Sequence, residues 1–154
     1  MDLSATELID AAKQIEAAGE AFYEAALQHI RGRSVREVFT WLMAEEARHA
    51  ESFETILGAV GRADWRSDEH YVGHLRTMVE GHVFPSPEKG REAASRITTD
   101  QQAIDFALGF EHDTVRFLQA LRDRVREEDR PLIDRLVDEE LGHVKALEEL
   151  AARR

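Results

Sequence analysis

The sequence predicts an all-α fold, a four-helix bundle built from two antiparallel hairpins that repeat each other. One long, partly helical crossover joins them. Long stretches carry apolar residues at helical spacing, and only three prolines and nine glycines interrupt the 154 residues. The second half of the chain also repeats the pattern of the first at a nearly constant offset. Short links make neighbouring helices antiparallel, whereas a long link has to cross the bundle.

Capping and turn signals delimit the first hairpin. Residues 4–7 form a candidate capping box that opens a first helix ending near Ile30. Residues 34–37 form a second box, and Gly58 with Gly61 is expected to close the second helix.

The second hairpin has equally clear signals. Thr99 with Gln102 opens a third helix that reaches about Arg126. The polar residues 127–130 make the next turn, and Pro131 suits the first position of the fourth helix.

The connection between the hairpins, residues 62–98, is too long for a structureless loop in a compact domain. We expect an amphipathic helix over residues 67–83, a break at the prolines, and a short helix from Pro87 to about Ile97.

The amino-acid composition limits the classes of protein to which this chain can belong. The length suits a single domain over residues 1–154. The net charge of −11 argues against binding nucleic acid or an anionic membrane surface. The chain has no cysteine, which excludes disulfides and thiolate metal sites. It shows no signal-peptide pattern and no apolar run that would span a membrane, so we expect a cytoplasmic protein.

A metal-ligand motif occurs twice. Glu46 lies three residues before His49, and Glu140 lies three residues before His143. Positions i and i+3 of a helix share one face, so each pair directs a carboxylate and an imidazole to the same side. One such pair is expected by chance in a chain so rich in glutamate. Both copies, however, fall on apolar helix faces at equivalent points of the repeat, 94 residues apart (140 − 46).

The other two long helices each carry one charged residue on an otherwise uncharged face. These residues are Glu16 and Glu111, which correspond at an offset of 95. Glu20 is the rival ligand on the first helix, but it lies on a more polar track and corresponds to Val115. We therefore prefer Glu16. Glu45 and Glu139, by contrast, suit solvated faces.

Six such groups in an apolar core predict a metal site, because burying carboxylates without partners costs several kcal/mol per ion. Two Glu residues and two Glu-x-x-His pairs on four helices are the ligand set of a di-metal carboxylate site. Carboxylates with one imidazole per ion favour iron first and manganese second. We therefore expect two iron ions. His70 and His74 are assigned to a solvated face, and Trp41 and Trp65 to packing.

These motifs resemble the ferritin-like superfamily and, within it, the rubrerythrin-type di-iron domain. The resemblance covers residues 5–56 and 101–150. It implies that Glu46 and Glu140 bridge two metal ions and that Tyr23 lies beside the site as a supporting or redox-active residue. It further implies terminal ligands from the first and third long helices, namely Glu16 and Glu111. The resemblance also suggests a homodimer.

The chain departs from the family pattern in two ways. Rubrerythrins proper carry a rubredoxin domain with four cysteines, so here an external protein would have to donate the electrons. They also have an extra Glu at the position of Thr114. The sequence favours an oxidoreductase acting on peroxide or on Fe(II) with dioxygen. The alternatives are a non-catalytic iron-handling protein and an interaction module that keeps the ligand pattern as a vestige.

Overall fold

The computed structural model describes residues 5–62, 69–82, 85–123 and 127–153, and all regular structure in these ranges is helical. The predicted all-α bundle is confirmed. A 3-10 turn at Glu127–Asp129 precedes the last helix. None of the described helices is long and apolar enough to cross a membrane. The α-helices are α1 (Ala5–Ala26), α2 (Arg33–Arg62), α3 (Glu69–Glu80), α4 (Pro87–Ser95), α5 (Asp100–Arg122) and α6 (Arg130–Ala152).

The four long helices form the two expected hairpins. Helix α1 packs on α2 and α5 packs on α6, while α2 also contacts α6 and α1 contacts α5. An aromatic cluster of Phe22, Tyr23, Phe39 and Phe110 fills the space between the hairpins, and all four side chains are fully buried. The rings pack edge-on or tilted, with centroids 5.1 to 6.4 Å apart. This rigid core lies directly beside the candidate site described below.

The crossover forms part of the bundle wall. Helix α3 packs against α1 and α5, and α4 lies along α1. The backbones of α1 and α4 come close because the contact is made by Ala18, Gly90 and Ala94, all buried. A Cβ atom at position 90 would lie only 2.5 Å from the Ala18 carbonyl oxygen. The sequence did not predict this contact.

Gly90→Ala is therefore expected to destabilise the protein by about 1–3 kcal/mol, because the new methyl group meets backbone that cannot move aside. Gly73→Ala in α3 is the matched control, since nothing lies within 4 Å of a Cβ there. It should stabilise the protein by up to about 1 kcal/mol through helix propensity. Urea unfolding measures both changes. Equal effects of the two substitutions would contradict the proposed close contact.

Several predicted helix ends are confirmed. The Thr99 hydroxyl accepts a hydrogen bond from the backbone N–H of Gln102 at 3.2 Å, as expected for an N-cap. Pro131 lies in the first turn of α6, and α4 begins at Pro87. The capping box at residues 4–7 begins outside the described residues.

The prediction that residues 34–37 cap α2 is wrong, because the helix begins at Arg33. The preceding turn is held from another helix instead. The Asp100 carboxylate, at the start of α5, accepts hydrogen bonds from the backbone N–H groups of Arg31 (3.0 Å) and Gly32 (2.7 Å). This contact joins residues 69 positions apart, so local sequence does not reveal it.

Helix α1 ends at Ala26 rather than near Ile30. The guanidinium of Arg36 donates hydrogen bonds to the carbonyl oxygens of Leu27 (2.6 Å) and Ile30 (3.0 Å), which satisfies the chain where the helix stops.

Two predicted helix ends are misplaced. Helix α2 continues to Arg62 through Gly58 and Gly61, and no described glycine has the positive φ of a terminating glycine. Helix α5 ends at Arg122, short of the predicted Arg126.

Candidate metal centre

The structure brings the two Glu-x-x-His pairs together in the bundle core. Glu46 and His49 come from α2, and Glu140 and His143 come from α6. Each side chain offers one ligand atom, and these four atoms all lie within 4.8 Å of one another. All four residues are at most 1% exposed. Helices in contact therefore place two carboxylates and two imidazoles around one point.

The two imidazoles present the same nitrogen to the carboxylates. His49 Nδ1 lies 2.8 Å from Glu140 Oε1, and His143 Nδ1 lies 3.0 Å from Glu140 Oε2. The rings stack with centroids 5.1 Å apart and an interplanar angle of 17°. Each oxygen of Glu140 thus contacts the Nδ1 atom of one imidazole, which leaves the Nε2 atoms for other partners.

Glu16 and Glu111 complete the predicted set, and both are buried. Glu111 Oε2 lies 3.5 Å from His143 Nδ1. Glu16 interacts electrostatically with the carboxylates of Glu46 and Glu140. The rival residue Glu20 is exposed. The six predicted side chains are therefore buried in one region of the core, and their roles as ligands stay predictions.

Crowding of buried carboxylates shifts their pKa values. Burial, with the charge of Glu140 added to it, raises the pKa of Glu16 to about 7. The same two causes raise the pKa values of Glu46 and Glu111 well above their usual range. Burial alone would raise the pKa of Glu140 as well, but contacts with the two imidazoles outweigh it and lower that pKa. The metal-free cluster therefore holds protons on some carboxylates.

The cluster fits a bound cation. Both carboxylate oxygens of Glu16 and both of Glu46 are buried without a hydrogen-bond partner. Buried polar groups in native proteins are almost always satisfied, so four unsatisfied oxygens in one place call for a ligand. Oxygen donors combined with imidazole nitrogen, and no thiolate, suit iron or manganese.

Tyr23 lies beside the cluster, as the resemblance implied. It is fully buried, and its hydroxyl donates a hydrogen bond of 2.5 Å to Glu111 Oε1. Burial and the charge of Glu111 raise the pKa of Tyr23 well above its usual value, so the phenol stays protonated at neutral pH. Tyr23 therefore orients Glu111 and leaves its second oxygen directed toward His143.

Sequence reasoning missed the roles of Glu45 and Glu139, which it assigned to solvated faces. Glu139 Oε2 lies 2.8 Å from His49 Nε2, on the side of the ring away from the cluster. Glu45 Oε2 lies 3.7 Å from His143 Nε2. Each Glu directly precedes a predicted bridging Glu, at the same offset of 94 (139 − 45). Their equivalent positions in the repeat are the one feature of the sequence that could have indicated a shared role for these two residues.

Sequence reasoning also missed His82, which follows α3 and is only 5% exposed. Its Nε2 lies 3.2 Å from the hydroxyl of Thr114, and its ring packs edge-on against Phe110. Burial lowers the pKa of His82 to about 4, so the ring is neutral at pH 7. The sequence offers no signal for this contact.

A helical bundle of two repeated hairpins that buries a Glu/His cluster defines a ferritin-like protein with a candidate metal centre. The chain belongs to the rubrerythrin family: the family's sequence model, described as Rubrerythrin, matches residues 7–151. No curated protein and no solved structure matches the chain significantly.

Proposed function

We propose that the protein is a non-haem di-iron oxidoreductase that acts on peroxide, or on Fe(II) with dioxygen, using electrons from an external donor protein. The observation that carries this proposal is the set of buried, unsatisfied carboxylate oxygens beside two imidazoles. Membership of the rubrerythrin family supports it.

The proposed ligand roles follow the repeat. Glu46 and Glu140 would bridge the two ions, and each ion would receive one imidazole and one terminal carboxylate. In this proposal His49 and Glu16 would hold one ion, and His143 and Glu111 would hold the other. His143 Nδ1 and Glu111 Oε2 lie 3.5 Å apart. Two iron ions sharing carboxylates would supply two-electron chemistry on peroxide or dioxygen; manganese is the second choice.

The protein's own groups prepare the site for such chemistry. Burial of all six side chains excludes bulk water. Tyr23 holds a proton at its hydroxyl oxygen, 2.5 Å from Glu111.

Turnover tests the proposal. Protein loaded anaerobically with two equivalents of Fe(II) is mixed with peroxide and an excess of a small reductant. Reduction of each peroxide to two waters takes two electrons and two protons, so an enzyme should consume many equivalents of peroxide per site. A single stoichiometric burst would instead indicate iron handling. Absence of bound metal would refute the di-iron proposal altogether.

Non-catalytic iron handling is the second candidate. Thr114 stands where the family has an extra carboxylate, and its hydroxyl lies beside His82 while donating a hydrogen bond to the carbonyl of Phe110 at 3.0 Å. The described side chain therefore offers no acidic oxygen to the centre at that point.

Tyr23→Phe is expected to leave the metal stoichiometry unchanged and to lower turnover about 10-fold, in the range found when an outer hydrogen-bond partner of a ligand is lost. The reason is that Glu111 loses the donor that orients it. Steady-state peroxide consumption and metal analysis measure the two effects. Tyr71→Phe, which changes the only other tyrosine, is the control, and equal turnover in all three proteins would argue against a role for the Tyr23 hydroxyl.

Two partner proposals remain from the sequence. We propose that an external donor protein supplies the electrons. We also propose a homodimer, which sedimentation equilibrium would test.

A further inference from the structure

The two predicted metal-binding imidazoles have different outer contacts. His49 Nε2 lies 2.8 Å from Glu139, which is hydrogen-bond distance. His143 Nε2 lies 3.7 Å from Glu45, beyond it. The two carboxylates correspond in the repeat, so a symmetric centre would give equal distances. Something outside the ligand set makes the halves differ.

Arg48 is the residue that breaks the symmetry. Its Nη2 lies 2.7 Å from Glu45 Oε2 and 3.3 Å from Glu139 Oε2. The corresponding position in the second hairpin is Gly142 (48 + 94), which has no side chain to offer. At 2.7 Å the Arg48 guanidinium donates a hydrogen bond to Glu45 Oε2, the same oxygen that lies 3.7 Å from His143 Nε2. The Glu45 carboxylate thus pairs with Arg48 and not with the His143 ring. Glu139, in contrast, keeps its contact with His49.

Trp41 adds to the difference between the surroundings of His49 and His143. Its ring meets the His143 ring edge-on, with centroids 5.2 Å apart and an interplanar angle of 83°. The corresponding residue in the second hairpin is Arg135, which is not aromatic (41 + 94). Trp41 was expected to be a packing anchor, but it is 44% exposed. The outer side of His143 therefore meets an aromatic edge and a distant carboxylate.

Outer contacts of this kind control how well an imidazole binds a metal. A carboxylate that accepts the outer N–H holds the tautomer whose inner nitrogen is free to coordinate, and it raises the basicity of the ring. Losing such a partner typically costs about 10–100-fold in metal affinity. His49 has this support at 2.8 Å, and His143 lacks it.

We propose that Arg48, by engaging Glu45, makes the two metal positions inequivalent, so that the half containing His49 and supported by Glu139 binds its divalent ion first and more tightly. Arg48 and the two outer glutamates act as positioning residues. The proposal rests on the proposed di-metal function.

Trp41 supplies a reporter that lies nearer to one half of the centre than to the other. In a Trp65→Phe background it is the single tryptophan, and its contact with His143 makes its fluorescence sensitive to a paramagnetic ion there. Co(II) is titrated into metal-free protein, with total binding followed by competition with a chromophoric chelator. We expect two steps separated by at least about 10-fold in Kd. The first ion should quench the fluorescence less than the second, because its position is the farther of the two from Trp41.

Three substitutions separate the contributions of Glu139, Glu45 and Arg48 to the difference between the two Kd values. Glu139→Gln should weaken the first step about 10–100-fold, whereas Glu45→Gln should change either step far less. Arg48→Ala should release Glu45 toward His143 and bring the two steps together. Arg33→Ala is the matched control, because Arg33 forms an exposed ion pair with Glu37 at 2.9 Å on the same helix.

Several outcomes would overturn the proposal. These are a single binding step for both ions, stronger quenching by the first ion than by the second, equal effects of Glu45→Gln and Glu139→Gln on the two Kd values, and an unchanged ratio of the two Kd values in Arg48→Ala. The titration of the Trp65→Phe protein alone decides the first two, even if a further variant fails to fold. Failure to bind Co(II) or Fe(II) at all would refute the proposed function itself, whereas binding two equivalent ions would refute only the inequivalence.

Discussion

Glu46→Leu is expected to abolish metal binding and, at the same time, to make the metal-free protein more stable. Both oxygens of Glu46 are buried without a hydrogen-bond partner, so the metal-free fold bears their desolvation cost. Replacing a buried polar group that lacks a hydrogen-bond partner with an apolar one of similar size removes a desolvation cost of about 1–3 kcal/mol. Because Glu46 is the proposed bridging ligand, metal affinity should fall by more than about 100-fold, beyond the effect of losing an outer partner.

Glu140→Leu should behave differently, although it occupies the equivalent position of the repeat. Its oxygens lie 2.8 and 3.0 Å from the Nδ1 atoms of His49 and His143. Removing this carboxylate leaves two buried imidazoles without their partner, so we expect a loss of stability of about 3 kcal/mol in the metal-free protein. Metal binding should be lost as well. Both substitutions are therefore expected to abolish metal binding, but they should change the stability of the metal-free protein in opposite directions.

Metal analysis and urea unfolding of the chelator-treated proteins measure both effects. Glu51→Leu is the control on α2, because Glu51 is exposed and outside the cluster. It should change neither metal content nor stability by a comparable amount. Metal retained at wild-type stoichiometry in Glu46→Leu would remove Glu46 from the ligand set, and a less stable metal-free Glu46→Leu protein would contradict the electrostatic account.

Acid is expected to destabilise the fold through His82. Burial lowers the pKa of this residue from 6.5 to about 4, so the folded state holds the neutral ring and the unfolded state binds a proton first. The stability associated with neutral His82 is complete above pH 6.5 and is lost as the pH falls toward 4. A shift of this size corresponds to roughly 3 kcal/mol.

Urea unfolding of the wild type and of His82→Gln, at pH 7 and pH 4.5, tests this expectation. Glutamine keeps a polar group near the Thr114 hydroxyl and does not titrate. The core carboxylates titrate in both proteins, so the difference between the two pH dependences isolates His82. His29→Gln, at an exposed position, should keep the wild-type dependence. Identical acid sensitivity in wild type and His82→Gln would contradict the prediction.

The internal repeat explains why so much of the bundle could be predicted. Periodic apolar positions define helix faces without any knowledge of the partners that cover them. Glu16 and Glu111 were selected because each is the single charge on such a face, and both are buried in the structure. Glu46 and Glu140 emerged from the same comparison.

Several of the missed features depend on contacts between residues that are distant in the sequence. Asp100 holds a turn 69 positions away, Arg48 reaches Glu139 across 91 positions, and His82 meets Thr114 across 32. Helix periodicity has no information about such pairs. Glu139 was assigned to solvent for this reason, although its carboxylate lies against His49.

The sequence by itself determined which helices form, which faces they bury and which six side chains are candidates for a metal centre, because helix geometry links residues only three or four positions apart. The tertiary structure alone decided how those side chains are supported. Arg48 can reach Glu139 only because α2 packs against α6, and the Ala18 carbonyl can approach Gly90 only because α4 lies along α1. Such contacts arise from how whole helices pack against one another.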